Sequence, residues 1–272
     1  MKKCDFLFWL MIQLTQKAPP HYKGVLFFND YGEWRGADKM GHALTAYNES
    51  KWAYESLRWA GVKDKKAIWL GMASGMLCQT AIEVLDGFSK DWGFSLPDMT
   101  ANVSGCALFG IQQDVWKEQR LFLKISNSPK NYSKEPILVN GKLISVADVA
   151  GNLYGTSYSK TFFKDYNACI WWLSANPHSF SKTSKFPTWL NIAIGYSAEN
   201  IFGGYKNVPP TNTQEYPRYS QYLLSFDIDL SRIKTKSKFL NTLFRTINFV
   251  KIPAPALEYN SLGKFKLHPI LF

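Results

Sequence analysis

Hydrophobic positions follow a helical period in the first part of the chain and alternate in the rest. Apolar residues recur every three or four positions between about residues 37 and 116, which predicts three helices. After Gln119 the period shortens to two, which predicts β-strands at residues 120–126, 168–175, 189–196 and 221–229. The expected fold class is therefore α+β. A three-helix core, about 37–116, is packed with an antiparallel β-sheet or a partial outer-membrane-type barrel.

Capping and turn residues set the limits of the predicted helices. The first helix runs over residues 37–60 and is ended by Gly61. The second covers residues 67–85. The third follows Ser95, an N-cap residue with a proline in the next turn, and extends to about Trp116. Three later elements are also predicted: a short helix at 146–154, a basic amphipathic helix at 237–250 and a hairpin at 256–272.

The strands after residue 189 are rich in aromatic residues, and the chain ends in Phe272. That pattern is typical of the last strands of an outer-membrane barrel, where lipid-facing and inward residues alternate. Only about five or six good strands can be counted, fewer than the eight of a small barrel. A sheet packed on the helices and a barrel both stay open at this point.

Polar and ionisable residues interrupt the apolar pattern of the three helices. Spacings of three and four residues place neighbours of this set on shared helix faces. Such a cluster could run acid–base hydrolysis, with an amide to orient a substrate oxygen, or hold a hard divalent cation. It could equally be a satisfied buried network that fixes one helix arrangement. No cofactor is indicated, and no metal can be named. The candidate site residues are Asp38, His42, Glu83, Asp86, Asp98 and Asn102.

The order of these residues carries a family resemblance. Asp38-Lys39-x-x-His42 is followed by Glu83-x-x-Asp86, and then by the run Gly93-Phe94-Ser95-x-x-Asp98-x-x-x-Asn102-x-x-Gly105. Over about residues 36–112 the chain resembles the YfiM-type predicted lipoproteins of bacterial envelopes and, more distantly, VanZ-like membrane proteins. The resemblance implies a cell-envelope protein with no established catalytic activity.

The chain departs from those small lipoproteins in two respects. It has no lipobox cysteine, and it adds a long region of mostly β pattern after the helices. The combination is similar to proteins of Bacteroidota-type bacteria, which implies a place at the outer membrane.

The positive charge and the high aromatic content indicate which partners the protein could bind. The net charge is +11, and the aromatic fraction is 16%. Residues 231–272 hold eight Lys or Arg against the single acid Glu258. We expect contact with the outer membrane or an anionic lipid surface, and with envelope protein partners. A solvated basic face and an aromatic-rich core are the plainer alternatives. No nucleic-acid motif accompanies the charge, so nucleic acid is not an expected partner.

The N-terminus and the cysteines bear on export, on domain organisation and on metal binding. Residues 1–16 have a charged start and a short apolar run, which predicts a signal segment or a short interfacial one. Two regions follow, a helical one at 17–118 and a β-rich one at 119–272 that packs on it as one unit. The cysteines lack CxxC spacing, so zinc is not indicated. A Cys78–Cys106 bridge and small buried thiols both stay open.

Two functions from different classes follow. The first is a structural or assembly protein of the cell envelope, in the periplasm or at the outer membrane. The second is an envelope hydrolase or transferase that acts on lipid or glycan through Asp38, His42, Glu83 and Asp98.

Overall fold

Two compact units make up the described part of the chain. The structure is a computed structural model that describes residues 27–89, 93–181 and 186–272. The helical unit contains Thr45–Lys117 together with residues up to Tyr31. The sheet unit contains Gly32–Leu44 and Glu118–Phe272. The predicted signal segment, residues 1–16, lies outside the described residues.

Three long helices occur where the periodicity predicts them. They are α1 (Ala37–Trp59), α2 (Asp64–Gly87) and α3 (Leu96–Val115). The predicted cap of α3 is confirmed, because the Ser95 side chain accepts the N–H of Asp98. Two short strands, β1 (Phe27–Phe28) and β2 (Phe94–Ser95), pair in parallel. The first precedes α1 in the chain, and the second directly precedes α3.

Small and polar residues form the buried faces of α2 and α3, while apolar residues face outward. Small residues on a buried face let helix backbones approach closely. By length and composition α2 could cross a membrane, a test that core helices of soluble proteins also pass. The buried faces include Gly71, Gly75, Gln79, Glu83, Asp98, Asn102 and Gly105. The exposed faces include Trp69, Leu70, Leu77, Leu85, Val103, Ile111 and Val115.

Gly71→Ala is expected to lower the free energy of unfolding by about 1–3 kcal/mol through overpacking. A Cβ at Gly71 would lie 2.8 Å from the Ser50 carbonyl oxygen and 3.1 Å from the Tyr54 nitrogen, both backbone atoms of α1. The matched control is Gly41→Ala in α1, whose Cβ would meet only Trp171 Nε1, at 4.0 Å. The free energy of unfolding of this control should rise by roughly 0.5–1 kcal/mol, because alanine has a higher helix propensity than glycine. Urea unfolding of both variants measures the change in the free energy of unfolding. A change of the same sign in both variants would contradict the close approach of α2 to the α1 backbone.

The sheet unit is built on one antiparallel sheet. Among the described residues its order is β10-β9-β8-β7-β6-β3, with β3 and β10 at opposite ends. Over the described residues the sheet is therefore open and does not close into a barrel, and the α+β fold class is confirmed. The strands are β3 (Leu121–Asn127), β6 (Cys169–Ala175), β7 (Leu190–Glu199), β8 (Tyr219–Ile228), β9 (Ala254–Asn260) and β10 (Phe265–Leu271).

Shorter elements lie between these strands. The hairpin of β4 (Ile137–Val139) and β5 (Lys142–Ile144) lies between two predicted elements and was not itself predicted. Its turn is Asn140-Gly141, both at positive φ, which is the strongest short-range hairpin signal. Two helices are confirmed close to their predicted limits, α4 (Val146–Tyr154) and the basic α7 (Lys238–Ile247). The short helices α5 (Tyr158–Lys164) and α6 (Pro177–Phe180) have no counterpart in the sequence analysis.

The two faces of the sheet differ in polarity. One face, the apolar face, is packed against the Trp34 and Leu44 side chains at β3 and β6 and is exposed from β7 to β10. Its exposed residues include Ile192, Ile194, Tyr222, Leu224, Phe226, Leu257, Tyr259 and Leu267. The other face, the polar face, is buried and includes Lys124, Ser174, Asn191, Ser197, Asp227 and Glu258.

Both end strands of the sheet have features that interrupt regular pairing. At β10 the register with β9 shifts between His268 and Leu271, and Pro269 lies within the shift. At β3 the Ile125 N–H donates to the Phe249 carbonyl at 2.8 Å, and the Lys251 N–H donates to the Ile125 carbonyl at 2.8 Å. The segment around Val250 therefore covers part of the β3 edge.

Candidate functional site

Ser95 connects three carboxylate residues of the helical unit. Its hydroxyl accepts the N–H of Asp98 at 3.1 Å and donates to Asp30 Oδ1 at 2.5 Å. Its own N–H donates to Glu83 Oε2 at 3.0 Å. Glu83 and Asp98 are almost completely buried. The structure thus brings two of the predicted site residues to the start of α3, where their bonds hold the end of the preceding loop.

The other predicted residues of the helical unit lie nearby on the same helices. Asn102 is fully buried one turn after Asp98 on α3. Asp86 is half-buried near the end of α2, and its carbonyl oxygen accepts the Ser89 N–H at 2.9 Å. The buried Gln79 amide donates to Oε2 of the half-buried Glu49 at 2.8 Å, which adds a further bond between polar residues. Bonded polar groups of this kind specify one helix arrangement.

Asp38 and His42 occupy consecutive turns of α1 in the sheet unit. The Tyr166 hydroxyl donates to Asp38 Oδ1 at 2.8 Å, and Lys39 Nζ donates to Oδ2 at 3.1 Å. Burial alone would raise the pKa of Asp38, but His42, Lys39 and the bond from Tyr166 outweigh it and hold that pKa below its ordinary value. Asp38 is therefore a fixed carboxylate and a poor proton donor.

A buried charged network on the polar face was missed by the sequence analysis. Lys124 Nζ lies 2.7 Å from Asp227 Oδ2, and both side chains are fully buried. Lys124 also donates to the Ile228 carbonyl at 2.8 Å and to Asn248 Oδ1 at 3.1 Å. Lys251 Nζ lies 4.5 Å from the centre of the Trp172 ring. Burial, with the charge of Lys124, lowers the pKa of Lys251 to about 8 despite Asp227.

A cavity of about 510 Å³ opens on the polar face near the end of β10. His268 Nε2 lies 2.7 Å from Glu258 Oε2, and Asn260 donates to Glu258 Oε1 at 3.1 Å. Lys130 pairs with Glu199 on the same wall. This cavity was also missed, because the strands were predicted without assigning the direction of their side chains.

The two glutamates of the cavity have opposite pKa shifts. Burial raises the pKa of Glu199, and the charge of Glu258 adds to that effect, while Lys130 offsets it only in part. Burial opposes ionisation of Glu258 as well, but hydrogen bonds from His268, Gln221 and Asn260 hold its pKa below the ordinary value. The alternation of Glu258 and Asn260 with Leu257 and Tyr259 was a signal that could have located this wall.

The described cysteines are free thiols. Cys78, Cys106 and Cys169 form no disulfide, so a Cys78–Cys106 bridge is excluded in this structure. Ser50 donates its hydroxyl to Cys106 Sγ at 3.3 Å. Burial raises the pKa of the Cys169 thiol to about 12, which makes it unreactive near neutral pH.

Comparison with known proteins places the helical part of the chain in an envelope context. Residues 26–113 match the family model described as "Predicted periplasmic lipoprotein (DUF2279)". The expected localisation in the cell envelope or periplasm is confirmed by that family description. The likeness to YfiM-type and VanZ-like proteins stays a prediction. No curated protein and no solved structure matches the chain.

Proposed function

We propose that this envelope protein is a structural or assembly protein that binds a lipid surface through α7. The observation that carries the proposal is that no residue of α7 is buried. Phe239, Leu240, Leu243 and Ile247 form its apolar side, and all four are exposed. A surface helix in a water-soluble protein normally buries such a side against the core.

The charge around α7 supports an anionic surface as the proposed partner. Lys234, Lys236 and Lys238 precede or begin the helix and are exposed, and Arg245 lies in its last turn. An amphipathic helix with basic residues beside its apolar side binds anionic lipid by burying the apolar side at the headgroup boundary. Each cation near such a surface contributes about 1 kcal/mol.

The apolar face of the sheet supports the same partner. Cross-strand pairs such as Ile194–Leu224 and Leu224–Leu257 are exposed and continue across four strands. Water-soluble proteins rarely leave an apolar patch larger than a few hundred Å² uncovered. The buried side of these strands carries polar residues such as Ser197 and Asp227 beside the apolar cluster around Trp172, and polar side chains away from the exposed face are also found in sheets that face lipid. Acyl chains are the occupant that fits both observations.

The helical unit has the same distribution of polarity. Its α2 and α3 helices bury Gly75, Gln79 and Asn102, while Trp69 and Ile111 face outward. Small and hydrogen-bonding residues between helices, with apolar residues outside, are typical of helices that pack in lipid.

Vesicle binding by the full chain tests the role of α7. We expect cosedimentation with phosphatidylglycerol vesicles and much weaker cosedimentation with phosphatidylcholine vesicles, with the difference reduced by salt. Phe239→Asp should weaken binding at least about tenfold, because it removes an apolar side chain from the interface. The double variant Lys236→Glu, Lys238→Glu should lose the preference for the anionic lipid.

The matched control is Leu138→Asp on the exposed β4 strand. Leu138 is 70% exposed and Phe239 is 73% exposed, so both changes add the same charge at equally accessible positions. Leu138→Asp should bind as the parent does. Equal binding by all the variants and the parent would refute the proposal for α7.

The bonds around Ser95 support a structural role for the polar residues of the helices. Glu83 accepts the Ser95 N–H, and Asp98 is held through its own N–H, so both bonds stabilise one local arrangement. Asp38 is similarly fixed by Tyr166 and Lys39. A hydrolase or transferase acting through Asp38, His42, Glu83 and Asp98 stays the second hypothesis, and it rests on the sequence.

A further inference from the structure

The cavity on the polar face carries a net positive charge. Its walls include three lysines, Lys130, Lys264 and Lys266, against the two glutamates Glu199 and Glu258. Lys130 is paired with Glu199. The ammonium groups of Lys264 and Lys266 make no ion pair or hydrogen bond with the residues that the structure describes. Lys264 and Lys266 therefore face Glu258 as the one remaining glutamate of the wall, and the cavity keeps more cations than anions.

The remaining wall consists of neutral hydrogen-bonding groups, an aromatic ring and aliphatic side chains. Gln221 and Asn260 lie opposite each other on β8 and β9, and Ser197 is opposite Gln221 on β7. Tyr219 also lines the cavity, together with aliphatic residues such as Ile170 and Leu223. Its volume of about 510 Å³ falls in the range of small-molecule sites.

We propose that this cavity binds an acidic sugar, meaning a carbohydrate that bears a carboxylate or a phosphate. Lys264 and Lys266 bind the acidic group through charge-assisted hydrogen bonds. Gln221 and Asn260 bind ring hydroxyls, because amides both donate and accept. The Tyr219 ring, which lies beside Glu199 on the polar face, packs against the apolar face of the sugar. The pair of Glu258 and His268 fixes the wall from which these groups project.

Calorimetric titration of the full chain with paired probes tests this site. N-acetylmuramic acid is compared with neutral N-acetylglucosamine, and glucose 6-phosphate with glucose. We expect at least one acidic sugar to bind at least about tenfold more tightly than its neutral partner, as one charged hydrogen bond requires. The two pairs show whether the cavity prefers a carboxylate or a phosphate.

Lys266→Met tests whether that preference comes from this cavity. The side chain is exposed on β10, so the variant should keep the melting temperature of the parent and weaken acidic-sugar binding about tenfold. Lys142→Met, at an exposed position of β5 away from the cavity, should bind as the parent does. The proposal is overturned if acidic and neutral sugars bind alike, if neither acidic sugar binds, or if the two variants behave identically.

Discussion

Replacing Asp227 with alanine is expected to lower the free energy of unfolding by about 3–5 kcal/mol, the cost of leaving a buried charge without its partner. Asp227 Oδ2 lies 2.7 Å from Lys124 Nζ and accepts the Ser174 hydroxyl at 2.7 Å. Water cannot solvate the ammonium group of Lys124 after the change, because that side chain is fully buried. Urea unfolding at neutral pH measures the loss.

Asp114→Ala provides the matched control for Asp227→Ala. Asp114 pairs with Lys117 at 3.5 Å, but both side chains are more than half exposed, so the change should cost less than about 1 kcal/mol. The double variant Asp227→Ala, Lys124→Met should recover part of the lost stability, since it also removes the stranded charge. A cost for Asp227→Ala no larger than that of the control would contradict the buried network.

The contribution of Lys251 to the free energy of unfolding is expected to rise as the pH increases from about 8, the pKa of this residue in the folded protein. The folded pKa lies below the ordinary value of 10.5, so the unfolded chain binds more protons between these two values. The cost of burying the ammonium group is therefore fully present below pH 8 and is relieved as the pH rises. A shift of this size corresponds to about 3 kcal/mol.

Lys251→Met isolates that pH dependence. The variant should lack the rise in unfolding free energy between pH 8 and about 9.5, and it should be more stable than the parent at pH 7. Measurements stop at about pH 9.5 to precede the ordinary titration of tyrosine. Exposed Lys142→Met should keep the rise seen in the parent. The buried thiol of Cys169, whose raised pKa makes stability fall with pH, acts equally in both proteins, so the test is their difference. A parent-minus-variant difference in unfolding free energy that is flat or falls over this window would contradict a lowered Lys251 pKa.

Much of the secondary structure could be predicted from local patterns. The cap at Ser95 and the proline after it located the start of α3, because capping depends on a few adjacent residues. The β4–β5 hairpin was missed although Asn140-Gly141 is a strong local signal. The order of strands in the sheet could not be predicted from local patterns, because pairs such as Asn191–Asp227 join residues far apart in sequence.

The candidate site could be predicted only in part, because contacts between residues far apart in sequence leave no local signal. Glu83 and Asp98 were selected as polar interruptions of apolar helices, and both are bonded through Ser95. Lys124 and Asp227 were not selected, because a charged residue in an alternating strand normally faces water. Lys251 was not selected, because it lies between the predicted helix at 237–250 and the predicted hairpin at 256–272. On β8 the apolar side chains of Leu224 and Phe226 are the exposed ones, so for Asp227 the ordinary rule pointed to the wrong face.

The irregular margins of the sheet have a consequence for self-association. Exposed strand edges recruit neighbouring chains into fibrils, and a long row of apolar side chains would aggravate that hazard. Pro269 removes a donor from the outermost strand, and the altered register beside it breaks the template. Copies of the protein that are concentrated on one lipid surface can thus stay monomeric. The apolar face of each copy then remains available for lipid.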